Sequence, residues 1–196
     1  MKTRRLGRTG IEVSEIGFGA WGLGGTMWRG VADEQALLAV RAAVEAGVTF
    51  IDTALAYGDG HSERLIAKAR TNAVVATKIP PQDGAWPAAA TSKIADVFPA
   101  PYVRAATETS LRNLGGDAIA LQQLHVWHDA WLDQPAWAST RREMERLVAE
   151  GKVLQWGISI NDHAPETALL ALGDPIFATA QVIYNIFDRS PEKDLG

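Results

Sequence analysis

Short apolar runs alternate with stretches of helical periodicity along most of the chain. The apolar runs predict six strands, in the segments EIGFGAWGLGG, VTFID, AVVATKI, AIALQQLHVW, VLQWGISI and ATAQVIY. Between them, helical spacing predicts helices over 33–47 and in SERLIAKAR, PYVRAATETSLRNLGG, PAWASTRREMERLVAEGK and APETALLAL. Ser62 is the predicted N-cap of the second helix. Ahead of the first strand, RRLGRTGIEVS predicts a hairpin around a Gly-Arg-Thr-Gly turn.

Strand–helix alternation with nearly continuous apolar strands predicts a parallel sheet covered by helices. Two α/β architectures fit this pattern, the open doubly wound sheet and the (β/α)₈ TIM barrel. A doubly wound nucleotide-binding sheet is expected to carry G-x-G-x-x-G after its first strand, and GFGAWGLGG lacks that spacing. Polar residues instead follow several strands, which favours a barrel, where chemistry gathers at the strands' carboxyl ends; they are Asp52, Lys78, His125, Ser159 and Gln181.

The number of strand–helix units decides the predicted extent of the domain. A complete barrel has eight units and typically ~250 residues, and this chain of 196 residues contains about six. We therefore expect residues 1–196 to form a single barrel domain with an N-terminal hairpin, lacking its last two strand–helix units. The chain would then be the N-terminal part of a longer protein. An intact six-stranded open sheet is the alternative.

Composition narrows the functional classes. Hydrophobic residues make up 47% and charged residues 21%, as in a soluble globular domain. The net charge of −4, without a Lys/Arg block, argues against a nucleic-acid partner. The absence of cysteine excludes disulfides and thiolate chemistry. No stretch reaches the length of a membrane helix, and the basic N-terminus lacks the apolar core of a signal peptide, so we expect a cytoplasmic protein without a membrane or metal site.

The polar strand ends suggest chemistry only when taken together. Alone, Asp52 has a simpler explanation as a turn or capping residue, Tyr57 as loop packing and His125 as a core histidine. Lys78 is costly to bury unless an acid pairs with it, and Asp52 would be that acid. A positive charge beside a phenol is expected to lower the pKa of Tyr57 from ~10. That arrangement predicts a general acid for carbonyl reduction, with His125 holding the carbonyl oxygen.

Six segments, in this order along the chain, resemble the aldo-keto reductase family: RRLGRTGIEVSEIGFGAWGLGG, GVTFIDTALAYGDGHSE, VVATKI, LQQLHVW, GKVLQWGISIN and QVIYNIFDRS. The resemblance covers essentially the whole chain. It implies a barrel whose bottom is closed by the hairpin. It also implies NADP(H)-linked reduction of small aldehydes or ketones, or the reverse oxidation of alcohols. A preference for NADPH over NADH rests on the resemblance alone.

The resemblance also assigns roles to individual residues. It implies that Tyr57 donates the proton, that Asp52 pairs with Lys78 to lower the Tyr57 pKa, and that His125 orients the carbonyl. The residues implied to face the cofactor are Trp21, Asp52, Ser159, Asn161 and Gln181. The residues implied for the substrate pocket are Trp28 and Trp127, with ordinary packing as the alternative. The family usually has adjacent serine and asparagine, whereas Ile160 separates them here, so Asn161 departs from the pattern.

Two other functions stay open at this point. Lys78 at a barrel strand end would suit a lyase that forms a Schiff base, although Asp52 would keep the amine protonated. A nucleotide-binding regulatory subunit with little turnover is the second alternative. The family holds the cofactor's phosphates with later strands and loops, so this chain by itself is expected not to be a working NADP-dependent reductase.

Overall fold

A computed structural model describes residues 1–25, 32–160 and 163–194. The chain begins with the predicted hairpin, in which β1 (Thr3–Arg5) pairs antiparallel with β2 (Glu12–Ser14). The six predicted strands follow and form one parallel sheet. They are β3 (Phe18–Gly19), β4 (Phe50–Asp52), β5 (Val74–Ile79), β6 (Leu121–Leu124), β7 (Trp156–Ser159) and β8 (Phe177–Gln181).

The strand order decides between the two architectures. Each strand lies beside its sequence neighbours, in the order β3-β4-β5-β6-β7-β8. A doubly wound sheet reverses its order at a switch point, whereas a barrel adds every strand on the same side. The fold is therefore of the barrel type, as expected. Within the described residues the sheet stays open, with β3 and β8 at its edges.

The helices of the described residues are α1 (Asp33–Glu45), α2 (His61–Ala69), α3 (Ile94–Val97), α4 (Ala100–Leu114), α5 (Trp137–Ala149) and α6 (Pro191–Asp194). Four of them, α1, α2, α4 and α5, pack side by side in that order. The longest, α4, has a proline in its first turn and ends at Gly115, whose φ of +67° suits a glycine stop. None of the helices in the described part of the chain is long and apolar enough to cross a membrane.

Two local predictions were wrong. The residue that precedes α2 is Gly60, so Ser62 lies within the helix and is not its N-cap. The buried Ser62 hydroxyl instead hydrogen-bonds the Thr53 hydroxyl and donates to the Ala20 carbonyl. The segment APETALLAL does not form an α-helix but two 3₁₀ turns, Pro165–Ala168 and Ala171–Gly173. The reason is a competing acceptor, because the backbone N–H groups of Leu170 and Ala171 donate to the Asp129 carboxylate.

The hairpin lies across the amino-terminal end of the sheet. On one side, Ser14 and Thr49, just before β4, exchange hydrogen bonds through backbone and hydroxyl groups. On the other, the Arg8 guanidinium donates to the carbonyls of Leu172 and Phe177, and Gly7 approaches β8 so closely that a Cβ would lie 2.3 Å from the Ala178 oxygen. The hairpin thus ties the two sides of the open sheet together from below, as the resemblance implies.

Candidate active site

The candidate site lies at the carboxyl ends of the strands, opposite the hairpin. Asp52 ends β4, Lys78 stands in the second half of β5, and His125 follows β6 directly, its backbone N–H donating to the Ile79 carbonyl. Parallel strands in sequential order place these ends at one edge. Three residues that are far apart in sequence are therefore brought to the same mouth.

Asp52 and Lys78 form the predicted pair. The Lys78 Nζ donates to Asp52 Oδ2 at 2.8 Å and to the Thr53 carbonyl at 2.8 Å. Lys78 is only 1% exposed. Burial lowers its pKa, although the neighbouring Asp52 charge and hydrogen bond act in the opposite direction. The amine is thus enclosed and engaged with two acceptors, a poor arrangement for attack on a substrate.

Tyr57 reaches the same mouth from the turn after β4. That turn packs against the 3₁₀ helix Trp21–Gly24 at two glycines that leave no room for side chains: a Cβ on Gly58, whose φ is +65°, would lie 2.1 Å from the Gly24 oxygen. The Tyr57 ring is held 5.3 Å from Lys78 Nζ and 5.7 Å from the His125 ring, centroid to centroid, with the two rings edge to face.

The electrostatics of Tyr57 differ from the prediction. Its pKa is raised above the ordinary value, first by burial and then by the Asp52 charge. The expected lowering by Lys78 was wrong for this state of the site, because burial of the phenol and the Asp52 charge both raise the Tyr57 pKa. In this state Tyr57 is therefore a weaker acid than an ordinary tyrosine.

His125 is a neutral imidazole. Burial, and then the Lys78 charge, lower its pKa to about 2. Its Nδ1 is buried without a hydrogen-bond partner among the described residues. The ring is packed between Tyr57 and Trp86, whose ring centroid lies 4.5 Å away in an edge-to-face contact.

Trp86 was missed by the sequence analysis. It lies in the proline-rich loop after β5, and 43% of its surface is exposed although it touches His125. A loop has no periodicity from which a contact across the mouth can be inferred. The only available signal was its position after the strand that carries Lys78.

The second half of the mouth is formed by β7, β8 and the turn after β3. Ser159 and Gln181 are register partners at the ends of their strands, and the Gln181 carbonyl accepts the Ile160 N–H. Ser159 is buried, Gln181 is exposed, and Trp21 is 48% exposed. Two predicted site residues, Trp28 and Asn161, lie outside the described residues.

The sequence features that define the Aldo/keto reductase family match residues 15–195, nearly the entire chain. The chain belongs to this family. It is 32% identical to the aldo-keto reductase YhdN of Bacillus subtilis and 33% identical to the methylglyoxal reductase YeaE of Escherichia coli, over 100% and 94% of its own length. It spans 57% and 59% of those two proteins.

Solved aldo-keto reductases show the same fold. The chain matches the holo form of the Bacillus halodurans aldo-keto reductase AKR11C1 with a TM-score of 0.76 and 28% identity, covering 98% of this chain and 61% of that one. It matches a Klebsiella pneumoniae aldo-keto reductase, solved in complex with NADPH, with a TM-score of 0.74 and 31% identity, covering 100% and 63%.

In this member of the family the predicted site residues differ in how far they are buried. Trp127 is 2% exposed; its indole N–H donates to Asp129, and its ring packs against other aromatic side chains, namely Trp131, Trp137 and Phe177. The structure therefore favours the packing alternative for Trp127 over a place in the substrate pocket. The exposed Gln181 amide and the nearby Ser159 hydroxyl offer donors and acceptors that suit a carboxamide such as that of nicotinamide.

Proposed function

We propose that the chain carries the proton-transfer half of an NADP(H)-linked oxidoreductase that reduces aldehydes or ketones to alcohols, and that also runs in reverse. The observation that carries the proposal is the grouping of Asp52, Tyr57, Lys78 and His125 at one strand edge. An acid, a cation and a neutral imidazole around a half-buried phenol are suited to protonating a carbonyl oxygen.

Tyr57 is the proposed proton donor. The phenol is protonated at neutral pH, as tyrosine ordinarily is, so the proton is available when substrate enters. Because the pKa is raised, release of the proton depends on the negative charge that develops on the substrate oxygen. As negative charge develops on the carbonyl oxygen, the Tyr57 O–H bond breaks and the proton moves to that oxygen. The resulting phenolate lies near the Lys78 ammonium, 5.3 Å from the ring centre, which stabilises it. Asp52 holds that ammonium in place.

His125 is the proposed orienting group. A neutral imidazole carries one N–H, which can donate to the carbonyl oxygen without repelling Lys78. Trp86 packs edge to face on the His125 ring and supports its orientation. A hydrogen bond from His125 would fix the oxygen within reach of the Tyr57 hydroxyl, which gains rate by orientation rather than by added charge.

NADP(H) is the proposed cofactor, because the Klebsiella pneumoniae relative was solved in complex with NADPH. Trp21, Ser159 and Gln181 would hold its nicotinamide, with Asn161 and Asp52 as further predicted contacts. When bound, this cofactor supplies the two electrons and the hydrogen that the carbonyl carbon receives. Small aldehydes are the first substrates to assay, because one relative is named a methylglyoxal reductase. A cytoplasmic location is part of the proposal.

The decisive experiment uses the chain alone and the chain extended after Gly196 with the C-terminal segment of the Klebsiella pneumoniae relative. We expect NADPH-dependent reduction from the extended protein and none from the chain alone. Tyr57→Phe should lower the extended protein's rate by roughly 10²–10⁴-fold with little change in NADPH affinity. Tyr102→Phe is the matched control, since Tyr102 is likewise half-buried and its hydroxyl donates to the Pro80 carbonyl, away from the proposed site.

The same assays separate the alternatives. NADPH binding without turnover in the extended protein would favour a regulatory subunit. A borohydride-trapped adduct on Lys78 would favour the lyase. Near-normal reduction by Tyr57→Phe would remove Tyr57 from the proposed role.

A further inference from the structure

A buried glutamine lies directly beneath the proposed cofactor residues. Gln123 stands in β6, is 3% exposed, and its Nε2 donates to the Oε1 of Gln181 at 3.1 Å. The two residues are on strands that are not neighbours, because β7 lies between β6 and β8. A side chain that spans an intervening strand needs a gap in that strand.

Gly157 provides the gap. It is the register partner of Gln123 on one side and of Thr179 on the other. A Cβ at this position would lie 2.2 Å from the Thr179 hydroxyl and 3.2 Å from the Gln123 Cγ. The missing side chain of β7 is therefore the space through which Gln123 reaches Gln181.

The direction of this hydrogen bond is from Gln123 to Gln181, with the Gln123 Nε2 as donor and the Gln181 Oε1 as acceptor. On its other side, Gln123 has Lys78 of β5 as its register partner.

The bond has a consequence for Gln181. A glutamine amide has one oxygen that accepts and one nitrogen with two donors. Because Gln123 donates to the Gln181 oxygen, that oxygen is turned towards the barrel interior. The exposed end of Gln181 is then its nitrogen, so the residue offers donors to the mouth.

We propose that Gln123 is a positioning residue that sets the polarity of Gln181, so that Gln181 donates to the carboxamide oxygen of the nicotinamide. The inference rests on the proposed function, since it requires that a nicotinamide dinucleotide binds beside Gln181. It adds a residue that makes no contact with the cofactor itself.

The test compares two ligands in the chain as it is, at millimolar concentration, with dissociation constants from tryptophan fluorescence. One ligand is NADP⁺; the other is its 3-acetylpyridine analogue, which keeps the carbonyl oxygen and replaces the amide NH₂ by a methyl group. If Gln181 donates to the oxygen, the wild type binds both ligands with similar affinity.

Gln123→Glu should reverse the polarity. A carboxylate only accepts, so Gln181 must turn its nitrogen inward and present its oxygen to the mouth. NADP⁺ can rotate its carboxamide and donate to that oxygen, whereas the analogue cannot. We expect the analogue to lose about tenfold more affinity than NADP⁺, the cost of one unmatched polar group. Gln155→Glu, the same change ahead of β7, is the control and should leave the ratio unchanged.

Two further variants test the same inference if Gln123→Glu does not fold. Gln123→Leu removes the donor without adding charge and lets Gln181 turn, so discrimination against the analogue should rise above that of the wild type. Gln181→Glu, at an exposed position, keeps the acceptor for Gln123 and loses the donor, and should discriminate as Gln123→Glu does.

The outcomes are distinct. Equal losses for both ligands in the Gln123 variants would mean a structural role and overturn the inference alone. Weaker binding of the analogue than of NADP⁺ already in the wild type would show that Gln181 presents its oxygen, and this too would overturn the inference alone. Failure of the wild type to bind either ligand would overturn the inference together with the proposed nicotinamide site on this chain, while turnover by the extended protein would still decide the proposed reaction.

Discussion

The two halves of the mouth differ in how firmly they are built. On β4, β5 and β6, Lys78 and His125 are buried, and Asp52 and Tyr57 are fixed by a 2.8 Å ion pair and by glycine packing. On the other half, Trp21 and Gln181 are exposed at the two open edges of the sheet. The groups proposed to move a proton are preorganised, whereas Trp21 and Gln181, two of those proposed to hold the cofactor, are open to water.

The difference indicates where binding free energy would be used. A preorganised acid needs no reordering at the moment of reaction, which is how enzyme sites gain rate. An exposed glutamine or tryptophan must lose side-chain freedom when a ligand binds, at about 0.5–1.5 kcal/mol for each group. We therefore expect changes on the buried half to affect folding and chemistry, and changes on the open half to affect mainly affinity.

The largest effect is expected from Lys78→Met. Removing the ammonium leaves Asp52 and the Thr53 carbonyl without their donor, and an unpaired buried acceptor costs about 1–3 kcal/mol of unfolding free energy. Activity of the extended protein should also be lost, because the proposed phenolate loses its cation. Urea unfolding measures the stability change. Lys152→Met, which removes a lysine that also pairs with two acids, is the control and should cost less; equal costs would contradict the comparison.

A pH effect of intermediate size is expected from His125. Its folded pKa is about 2 against an ordinary 6.5, so between these values the unfolded chain binds a proton that the folded chain does not. The free energy of unfolding must then fall as the pH is lowered below ~6.5, by up to ~1.4 kcal/mol per pH unit. Denaturant unfolding at several pH values should show this slope in the wild type and a smaller one in His125→Asn. Parallel curves would show that His125 takes up its proton while folded.

Asp52→Asn should be milder than Lys78→Met, since an amide oxygen still accepts from Lys78. It removes the negative charge that raises the Tyr57 pKa, so that pKa should fall while the burial effect remains. Titration of ¹³C-labelled tyrosine by NMR measures this, with Tyr102 as the internal reference. An unchanged Tyr57 pKa would mean that burial alone sets it.

The smallest effect on stability is expected from Gln181→Glu. The side chain is exposed at a sheet edge, and the substitution keeps an oxygen that accepts from the buried Gln123 amide, so the free energy of unfolding should change by no more than about 0.5 kcal/mol. NADP⁺ affinity should nevertheless fall if the open half serves the cofactor. A large loss of stability in thermal unfolding would show that the two halves are equally structural.

Much of this architecture could be predicted because it follows from periodicity. Alternating strands and helices indicated a parallel barrel-type sheet, and polar residues at strand ends indicated the mouth with Asp52, Lys78 and His125. The errors lie where a contact from elsewhere in the chain decides: Asp129 takes the amide donors of Leu170 and Ala171 that a helix would have used. Likewise the Tyr57 pKa depends on burial, and the Trp86 contact on a loop path, neither of which a local pattern encodes.

The hairpin beneath the sheet also affects the order in which the protein can fold during its synthesis. Arg8 leaves the ribosome among the first residues, yet its carbonyl partners Leu172 and Phe177 follow 164 and 169 positions later. At about 5–20 residues per second, translation separates these partners by roughly 10–30 s. During that interval the hairpin can dock only through its hydrogen bonds between Ser14 and Thr49, while Arg8 still lacks its partners at β8. The N-terminal hairpin is thus synthesised early and docks fully only after β8 has been made.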